Sequence, residues 1–321
     1  MEAYNLALDC GGSKVTAILY DDAFCPVASC RVGSTRSTST PPEIITRNAR
    51  ELIEKLGLAG KTVGMLCGIW DRGLYHELIR QCRVEKTMKL GEMEIGLSAA
   101  DCRGDGYLVV AGTGATVFCK RGESVFLAGA YGSILADEGS GYWIGREVLG
   151  AAIRAYEGWG PETELRQLVH ERMGKDLPFF HALMHVYNTP GASPVAAVAA
   201  CAPLASQAAA AGDPVAKDIL RRGGNVLGQQ LVALAQREQL PQSLPVAISG
   251  SVWRGDPVIF EEFCRVLREG NITGEILVPE YEPIVGIILC HRHSLGSALT
   301  REEKAQFRQQ YKTWQFQMNK Q

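Results

Sequence analysis

The stretch that most constrains this chain is Leu6-Ala7-Leu8-Asp9-Cys10-Gly11-Gly12-Ser13-Lys14, where an apolar run ends in a carboxylate and two glycines. Glycine accepts a positive φ and allows close backbone approach, so Gly11 and Gly12 can bend around a phosphate. The β-branched run after Lys14 indicates a second strand, which makes the loop the tip of a hairpin. In Walker and Rossmann loops the glycines open a helix instead. An ordinary glycine hairpin turn is the alternative for this stretch taken alone.

The same pattern occurs a second time along the chain. A buried-type strand over residues 106–111 ends in Gly112-Thr113-Gly114, and strand-like sequence resumes at Thr116. Backbone amides of glycine loops bind anions, so two such hairpins can hold the two ends of a polyphosphate. The recurrence therefore favours a phosphate-binding role over two unrelated turns.

Composition excludes several classes of function. The chain has 321 residues, 46% of them hydrophobic and 21% charged, with a net charge of −2, which is typical of a globular protein with room for two lobes. Basic and acidic residues are interspersed, so neither nucleic acid nor an anionic membrane is an expected partner. The apolar tract 195–211 is interrupted by Pro203 and Gln207, and the start of the chain lacks a signal-peptide pattern. Ten cysteines without a C-x-x-C motif suit a reducing cytosol, so we expect a cytoplasmic protein.

Apolar spacing predicts the element order βββαβαβα before the second glycine hairpin. This order is typical of an α/β layer structure that opens with an antiparallel meander, and not of a doubly wound sheet that starts with βαβ. The polar stretch at residues 33–40 is either a solvated linker or a substrate loop.

These motifs resemble, in family order, the N-acetylglucosamine kinase-like proteins and the activator ATPases of benzoyl-CoA reductase and 2-hydroxyacyl-CoA dehydratase. Both groups belong to the actin, sugar-kinase and heat-shock chaperone superfamily. The resemblance covers nearly the whole chain, and its most specific part is Asp137-Glu138-Gly139-Ser140-Gly141-Tyr142-Trp143-Ile144-Gly145. Its other parts are the two hairpin loops, Gly212-Asp213-Pro214, Gly250-Ser251-Val252-Trp253 and Glu282-Pro283-Ile284-Val285-Gly286.

The resemblance implies an α/β, two-lobed ribonuclease H-like (actin-like ATPase) fold, in which each lobe starts with a β-meander carrying a glycine phosphate loop. The N-terminal lobe would comprise residues 1–111 and about 296–321, the C-terminal lobe residues 112–295, with a cleft between them.

The resemblance also implies ATP and Mg²⁺ as cofactors and a set of site residues. Asp9 would face the metal, and Asp9, Glu92 and Asp137 would be catalytic. The predicted ATP and phosphate residues are Gly11, Gly12, Ser13, Lys14, Gly112, Thr113, Gly114, Gly250 and Ser251. The predicted substrate residues are Ser34, Thr35, Arg36, Thr116, Asp137 and Glu138.

The sequence departs from the family pattern where a sugar would bind. A catalytic Asp precedes the second phosphate loop in the sugar kinases, whereas this chain offers Glu92 or Glu94; Glu92 keeps Leu97 at the family's apolar position. Arg36 stands where the substrate loop of the family has Asn.

The leading interpretation is ATP-dependent phosphorylation of a hydroxyl on a small-molecule sugar, an N-acetylhexosamine of the N-acetylglucosamine or N-acetylmuramic acid type. The alternatives are an ATPase that activates a partner acyl-CoA reductase or dehydratase, and a nucleotide-binding sensor without kinase activity. A homodimer is left open.

Overall fold

Apolar and β-branched runs form ten strands, and apolar residues at helical spacing form most of twelve α-helices, in the part of the chain that the structure describes. The computed structural model describes residues 4–37, 40–188, 193–296 and 299–318. The strands are β1 (Tyr4–Cys10), β2 (Lys14–Tyr20), β3 (Pro26–Gly33), β4 (Thr62–Ile69), β5 (Arg83–Lys89), β6 (Gly106–Ala111), β7 (Ala115–Arg121), β8 (Ser124–Gly129), β9 (Val246–Ser249) and β10 (Ile276–Leu277). The helices are α1 (Pro42–Lys55), α2 (Arg72–Gln81), α3 (Glu92–Ala99), α4 (Gly141–Tyr156), α5 (Leu165–Gly174), α6 (Phe179–Asn188), α7 (Pro194–Ala199), α8 (Ala202–Ala210), α9 (Pro214–Arg237), α10 (Pro257–Glu269), α11 (Pro283–Ser294) and α12 (Arg301–Gln310).

Parts of two sequence predictions lie outside the described residues. Thr38 and Ser39 belong to the predicted substrate loop, and residues 1–3, 297–298 and 319–321 belong to the predicted N-terminal lobe.

The chain forms two compact units, Met1–Arg103 with Val278–Phe316, and Gly104–Leu277 with Gln317–Gln321. These boundaries differ from those predicted at residues 111 and about 296. The first differs because β6 pairs with β7 and β9 and so belongs to the second sheet. The second differs because α11 packs against β1 and α3 of the first unit.

The sheet of the first unit has the strand order β3-β2-β1-β4-β5. β1, β2 and β3 form an antiparallel meander, while β4 runs parallel to β1 and β5 parallel to β4. Side chains of β1 alternate between two apolar layers: Leu6 and Leu8 pack with α1 and α2, and Ala7 packs with α11. Because both faces are covered, the strand is apolar from Leu6 to Leu8, immediately before Asp9.

The second unit repeats this connectivity in a sheet of order β10-β9-β6-β7-β8. β6, β7 and β8 form the meander, β9 runs parallel to β6, and β10 runs parallel to β9. Helices α4, α5, α6, α8 and α9 enclose a separate apolar core. The prediction of an α/β protein in which each unit opens with a meander and a glycine loop is therefore confirmed.

A glycine near the end of the fourth strand of each unit packs on the strand that carries the loop. Gly68 has a φ of +118°, and a Cβ there would lie 2.1 Å from the carbonyl oxygen of Leu8. Gly250 has a φ of +104°, and a Cβ there would lie 2.3 Å from the carbonyl oxygen of Ala111. Both positions therefore require glycine for conformation and for space.

None of the helices within the described ranges combines the length and the apolar character needed to cross a membrane.

We expect Gly68→Ala to lower the free energy of unfolding by about 2–4 kcal/mol, because its Cβ would overlap a backbone oxygen in addition to straining φ. Gly60 is the matched control, since it has a φ of +73° but no heavy atom within 4 Å of a built Cβ. Gly60→Ala should cost only about 1–2 kcal/mol. Urea unfolding of both variants measures the difference, and equal losses would contradict the role of the contact.

Candidate active site

The first glycine loop is the turn between β1 and β2. The amide of Gly11 donates to the carbonyl oxygen of Lys14 at 2.9 Å and closes the turn. The amides of Gly12 and Ser13 donate to no other described residue. The fold thus leaves two adjacent amides at the tip available to an anion.

Asp9 lies at the end of β1 and is partly buried. Burial has the largest effect on its pKa, which is raised from 3.8 to about 6, and the carboxylate of Glu92 adds to this rise. Lys14 lowers the pKa, Glu282 raises it and Arg36 lowers it, in decreasing order of effect. The structure therefore brings the charges of these four side chains to the Asp9 carboxylate.

The two glutamates at the start of α3 have different surroundings. Glu94 Oε2 accepts a hydrogen bond from the amide of Gly91 at 3.0 Å, as part of a capping box. Glu92 is exposed in the first helical turn, and its charge acts on Asp9. Glu94 is thus engaged in holding the helix start, while the Glu92 carboxylate faces solvent beside the site.

The predicted substrate loop is tied directly to the first glycine loop. The hydroxyl of Ser34 donates to the carbonyl oxygen of Gly11 at 3.2 Å and accepts from the amide of Arg36 at 3.1 Å. Asn48 Nδ2, from the buried face of α1, donates to the carbonyl oxygen of Ser34 at 2.8 Å. The Ser34 side chain therefore joins the predicted substrate loop to the first glycine loop.

The far side of this loop is held by Asp71. Its Oδ2 accepts from the amide of Ser37 at 2.6 Å and from the hydroxyl of Ser37 at 3.1 Å. Thr35 is fully buried between these contacts, whereas Arg36 is partly exposed. Among residues 34–36, the side chain of Arg36 is thus the one best placed to meet a ligand.

The second glycine loop is fastened to the start of α4. The amide of Gly112 donates to the carbonyl oxygen of Gly114 at 2.9 Å, and the amides of Gly141 and Tyr142 donate to the carbonyl oxygens of Gly112 and Thr113 at 2.7 and 3.1 Å. The amides of Thr113 and Gly114 donate to no other residue in the described ranges. This loop therefore also presents two adjacent amides.

Asp137 reaches the second loop with its side chain. Its φ is +66°, which is uncommon for a residue with a Cβ. Oδ1 accepts from the amide of Ala115 at 3.3 Å, and a Cβ at Gly114 would lie 2.8 Å from Oδ2. Burial raises the pKa of Asp137, the hydrogen bond from Ala115 partly offsets this, and Glu138 adds to the rise. Glycine at 114 thus makes room for this carboxylate.

The predicted adenosine loop, which begins at Gly250, lies against β6. Gly250 touches the backbone where Ala111 leads into Gly112, and Ser251 after it is exposed. Trp253 is buried and donates from Nε1 to the carbonyl oxygen of Val109 at 3.3 Å. The loop is therefore anchored to β6 beside the second glycine loop.

The structure gathers the predicted site residues into two groups, one in each unit. The first group is Asp9, residues 11–14, Ser34, Thr35, Arg36 and Glu92. The second group is residues 112–114, Thr116, Asp137, Glu138, Gly250 and Ser251. Thr116 is buried in β7, and Glu138 is partly exposed.

Two residues that support the first group, Asn48 and Asp71, have no role predicted from the sequence. Asn48 is a polar residue on the apolar face of α1, a signal that could have been noticed. Asp71 precedes α2 and has the sequence signature of an N-cap, yet its side chain makes no cap hydrogen bond. No local pattern indicates that Asp71 approaches the site. Glu282 begins a motif of the family resemblance, without a predicted site role, and its charge acts on Asp9.

Among the described residues, no group of three or more His, Cys, Asp or Glu side chains could hold a metal ion. Mg²⁺ commonly keeps several waters and uses one or two carboxylates together with substrate phosphates. Asp9, a carboxylate beside two unused amides, fits that mode of binding and not an all-protein metal site.

Comparison with known proteins identifies a family and a set of relatives. A family model described as the BadF/BadG/BcrA/BcrD ATPase family matches residues 6–290. An N-acetylmuramic acid/N-acetylglucosamine kinase from Clostridium acetobutylicum is 24% identical over 308 residues, which is 90% of this chain and 98% of that protein. An N-acetyl-D-glucosamine kinase from Dictyostelium discoideum is 26% identical over 187 residues, covering 57% of this chain and 58% of that protein.

A solved structure agrees with the fold. The crystal structure of a candidate N-acetylglucosamine kinase from Chromobacterium violaceum has a TM-score of 0.64 at 22% identity, covering 90% of this chain and 99% of that one. At this identity the likeness concerns the fold alone, and it confirms the predicted fold class. The predicted family resemblance is confirmed by the family model.

We expect Asp9→Asn to raise the free energy of unfolding of the nucleotide-free protein by roughly 1–3 kcal/mol at about pH 7.5. The pKa of Asp9 rises from 3.8 to about 6 on folding. The folded protein therefore binds a proton at Asp9 more tightly than the unfolded chain does. The stability gained from this proton is fully present below about pH 3.8 and is lost as pH rises through about 6. An amide does not ionise, so the gap between variant and parent in thermal melts should widen from about pH 5 to about pH 7.5. Exposed Asp176 provides the control Asp176→Asn, and a gap independent of pH would contradict the assignment.

Proposed function

Because the chain belongs to the BadF/BadG/BcrA/BcrD ATPase family, we propose that it is an ATP-dependent kinase that phosphorylates a hydroxyl of an N-acetylated hexosamine. Membership of an ATPase family makes ATP the nucleotide. The acceptor is inferred from the relative in Clostridium acetobutylicum, whose alignment with this chain covers nearly its full length. The enzyme would be cytoplasmic, which suits ten cysteines that form no disulfide among the described residues.

The observation that carries the proposal is the proximity of Asp9 and Glu92 beside the first glycine loop. Phosphoryl transfer needs neutralisation of phosphate charge, an oriented acceptor and a group that takes the acceptor's proton. The amides of Gly12 and Ser13 with the ammonium of Lys14 supply positive charge at the phosphates. The carboxylates of Asp9 and Glu92 would then serve two further needs, which are binding of the metal and removal of the acceptor's proton.

We assign Mg²⁺ to Asp9 and the general base to Glu92. Bound Mg²⁺ would neutralise charge on the ATP phosphates. Glu92 would accept the proton of the sugar hydroxyl while that oxygen bonds to the γ-phosphorus and the bond to the bridging oxygen breaks, releasing ADP. The helical cap made by Glu94 supports this choice, because it leaves Glu92 as the unengaged carboxylate of the pair.

Residues of the second unit would serve the same nucleotide in this proposal. The amides of Thr113 and Gly114 would bind phosphate, Asp137 would orient the acceptor or a metal-bound water, and Gly250 with Ser251 would pack against adenosine. Binding of one ATP by the loops of both units, in a cleft between two lobes, stays a prediction.

We expect the purified chain with ATP and Mg²⁺ to release ADP when supplied with N-acetylglucosamine or N-acetylmuramic acid. A coupled ADP assay, with mass spectrometry of the phosphosugar, measures this; glucose serves as the acceptor lacking the N-acetyl group. ADP release that is independent of every sugar would contradict the kinase assignment. A brown protein with visible absorbance after anaerobic purification would instead favour the ATPase that activates a redox partner.

We expect Glu92→Gln to lower kcat by ~10²–10⁴-fold while ATP binding stays close to that of the parent, as for loss of a positioned general base. Glu94→Gln is the matched control, because it keeps an oxygen acceptor for the cap and should change kcat less than about 3-fold. Steady-state kinetics and nucleotide titration measure the two effects. A full loss at Glu94 with none at Glu92 would overturn the assignment of the base.

A further inference from the structure

Arg36 carries a guanidinium group that does not help to hold the described part of the fold together. Its side chain is partly exposed, and its guanidinium forms no ion pair or hydrogen bond with any other described residue. Many exposed arginines of this chain, by contrast, pair with a neighbouring carboxylate, as Arg31 pairs with Glu282 at 3.1 Å. The five donors of the Arg36 side chain are therefore available to a ligand.

The backbone that carries Arg36 is fixed on both sides. Ser34 is held by Asn48 and binds Gly11, while Ser37 is held by two hydrogen bonds to Asp71. These contacts join the loop to β1, α1 and the start of α2, and Thr35 is fully buried between them. A side chain on such a loop loses less conformational entropy on binding than one on a mobile linker.

The loop also places the guanidinium in the candidate active site. The amide of Arg36 bonds to Ser34, whose hydroxyl bonds to Gly11 in the first glycine loop. The charge of Arg36 acts on both Asp9 and Cys10 at the end of β1. Arg36 is therefore a second cation beside Asp9, in addition to Lys14, and it comes from a different element.

We propose that Arg36 binds an anionic group of the acceptor, a carboxylate or a phosphate monoester, and that Asp71 is the positioning residue that aims it. This inference rests on the proposed kinase function and names its substrate class as acidic N-acetylated sugars. A planar guanidinium binds such groups through two parallel hydrogen bonds, which an amide side chain cannot reproduce. A neutral acceptor would form no charge-assisted hydrogen bond with the guanidinium, so an acidic acceptor is favoured.

The competing role for Arg36 is a contact with the nucleotide phosphates. That role would affect every acceptor equally, because ATP is common to all reactions. The first loop already offers Lys14 and two unused amides for phosphate, so the observations favour the acceptor. Comparison of acidic and neutral sugars separates the two roles.

The test measures kcat/KM of the full chain, at saturating ATP and Mg²⁺, for N-acetylmuramic acid, N-acetylglucosamine 6-phosphate and neutral N-acetylglucosamine. The readout is the ratio of each acidic sugar to the neutral one. We expect one acidic sugar to be preferred and Arg36→Asn to lower its ratio by about 10–100-fold, as for loss of a charge-assisted bidentate pair. Arg36→Lys should recover only part of the ratio, and Arg47→Asn, at an exposed arginine of α1, should not change it.

Each outcome has one interpretation. Preference for N-acetylmuramic acid identifies the anionic group as a carboxylate, and preference for N-acetylglucosamine 6-phosphate identifies it as a phosphate. An Arg36→Asn ratio equal to that of the parent overturns the inference, whether both sugars lose activity or neither does. ADP release with the neutral sugar in that case leaves the kinase assignment standing, whereas absence of sugar-dependent ADP release contradicts the kinase itself.

The role of Asp71 has its own readout. Asp71→Ala removes the acceptor of both Ser37 hydrogen bonds and should lower the acidic-to-neutral ratio by roughly 3–10-fold through KM for the acidic sugar. Asp71→Asn keeps an oxygen acceptor and should restore most of the ratio. If Asp71→Ala lowers kcat on all sugars equally, or if Asp71→Asn fails to restore the ratio, Asp71 does not position Arg36.

Discussion

The candidate site depends on a sheet that is covered on both faces. In the first unit, Leu6, Ala7 and Leu8 of β1 meet helices on either side, so the middle of the strand is apolar. Asp9 follows them near the end of the strand, and burial raises the pKa of its carboxyl group. The glycine turn follows at once, where amides released from the sheet need a partner. Apolar layering thus determines where both charge and free backbone donors occur.

Sequence reasoning recovers what depends on local chemistry. Two glycines between apolar runs identify each hairpin, because the turn and its strands lie within one short stretch of chain. The choice between Glu92 and Glu94 is harder, since both precede an apolar helical pattern. Our proposal of Glu92 is supported by a single hydrogen bond, from Gly91 to Glu94, which is a local feature that the sequence contains as a capping pattern.

Contacts between distant parts of the chain could not be predicted in this way. Asp71 holds Ser37 across 34 positions of sequence, and Asp71 itself has the sequence signature of an ordinary helix N-cap. The unit boundaries of the structure differ from the predicted lobe boundaries for the same reason, because the pairing of β6 with β9 joins residues far apart in sequence. Tertiary pairing, and not local propensity, decides which sheet a strand joins.

The discontinuity of the first unit has a consequence for synthesis of the chain. Strands β1 to β5 are made before residue 104, yet α11 and α12, which cover the apolar layer containing Ala7 and Ile18, follow residue 277. Nearly all of the second unit is one continuous segment and can assemble as it emerges from the ribosome. The first unit must wait with one apolar face of its sheet uncovered until nearly the whole polypeptide exists. Translation order therefore makes the first-encoded half of the molecule the last to be completed.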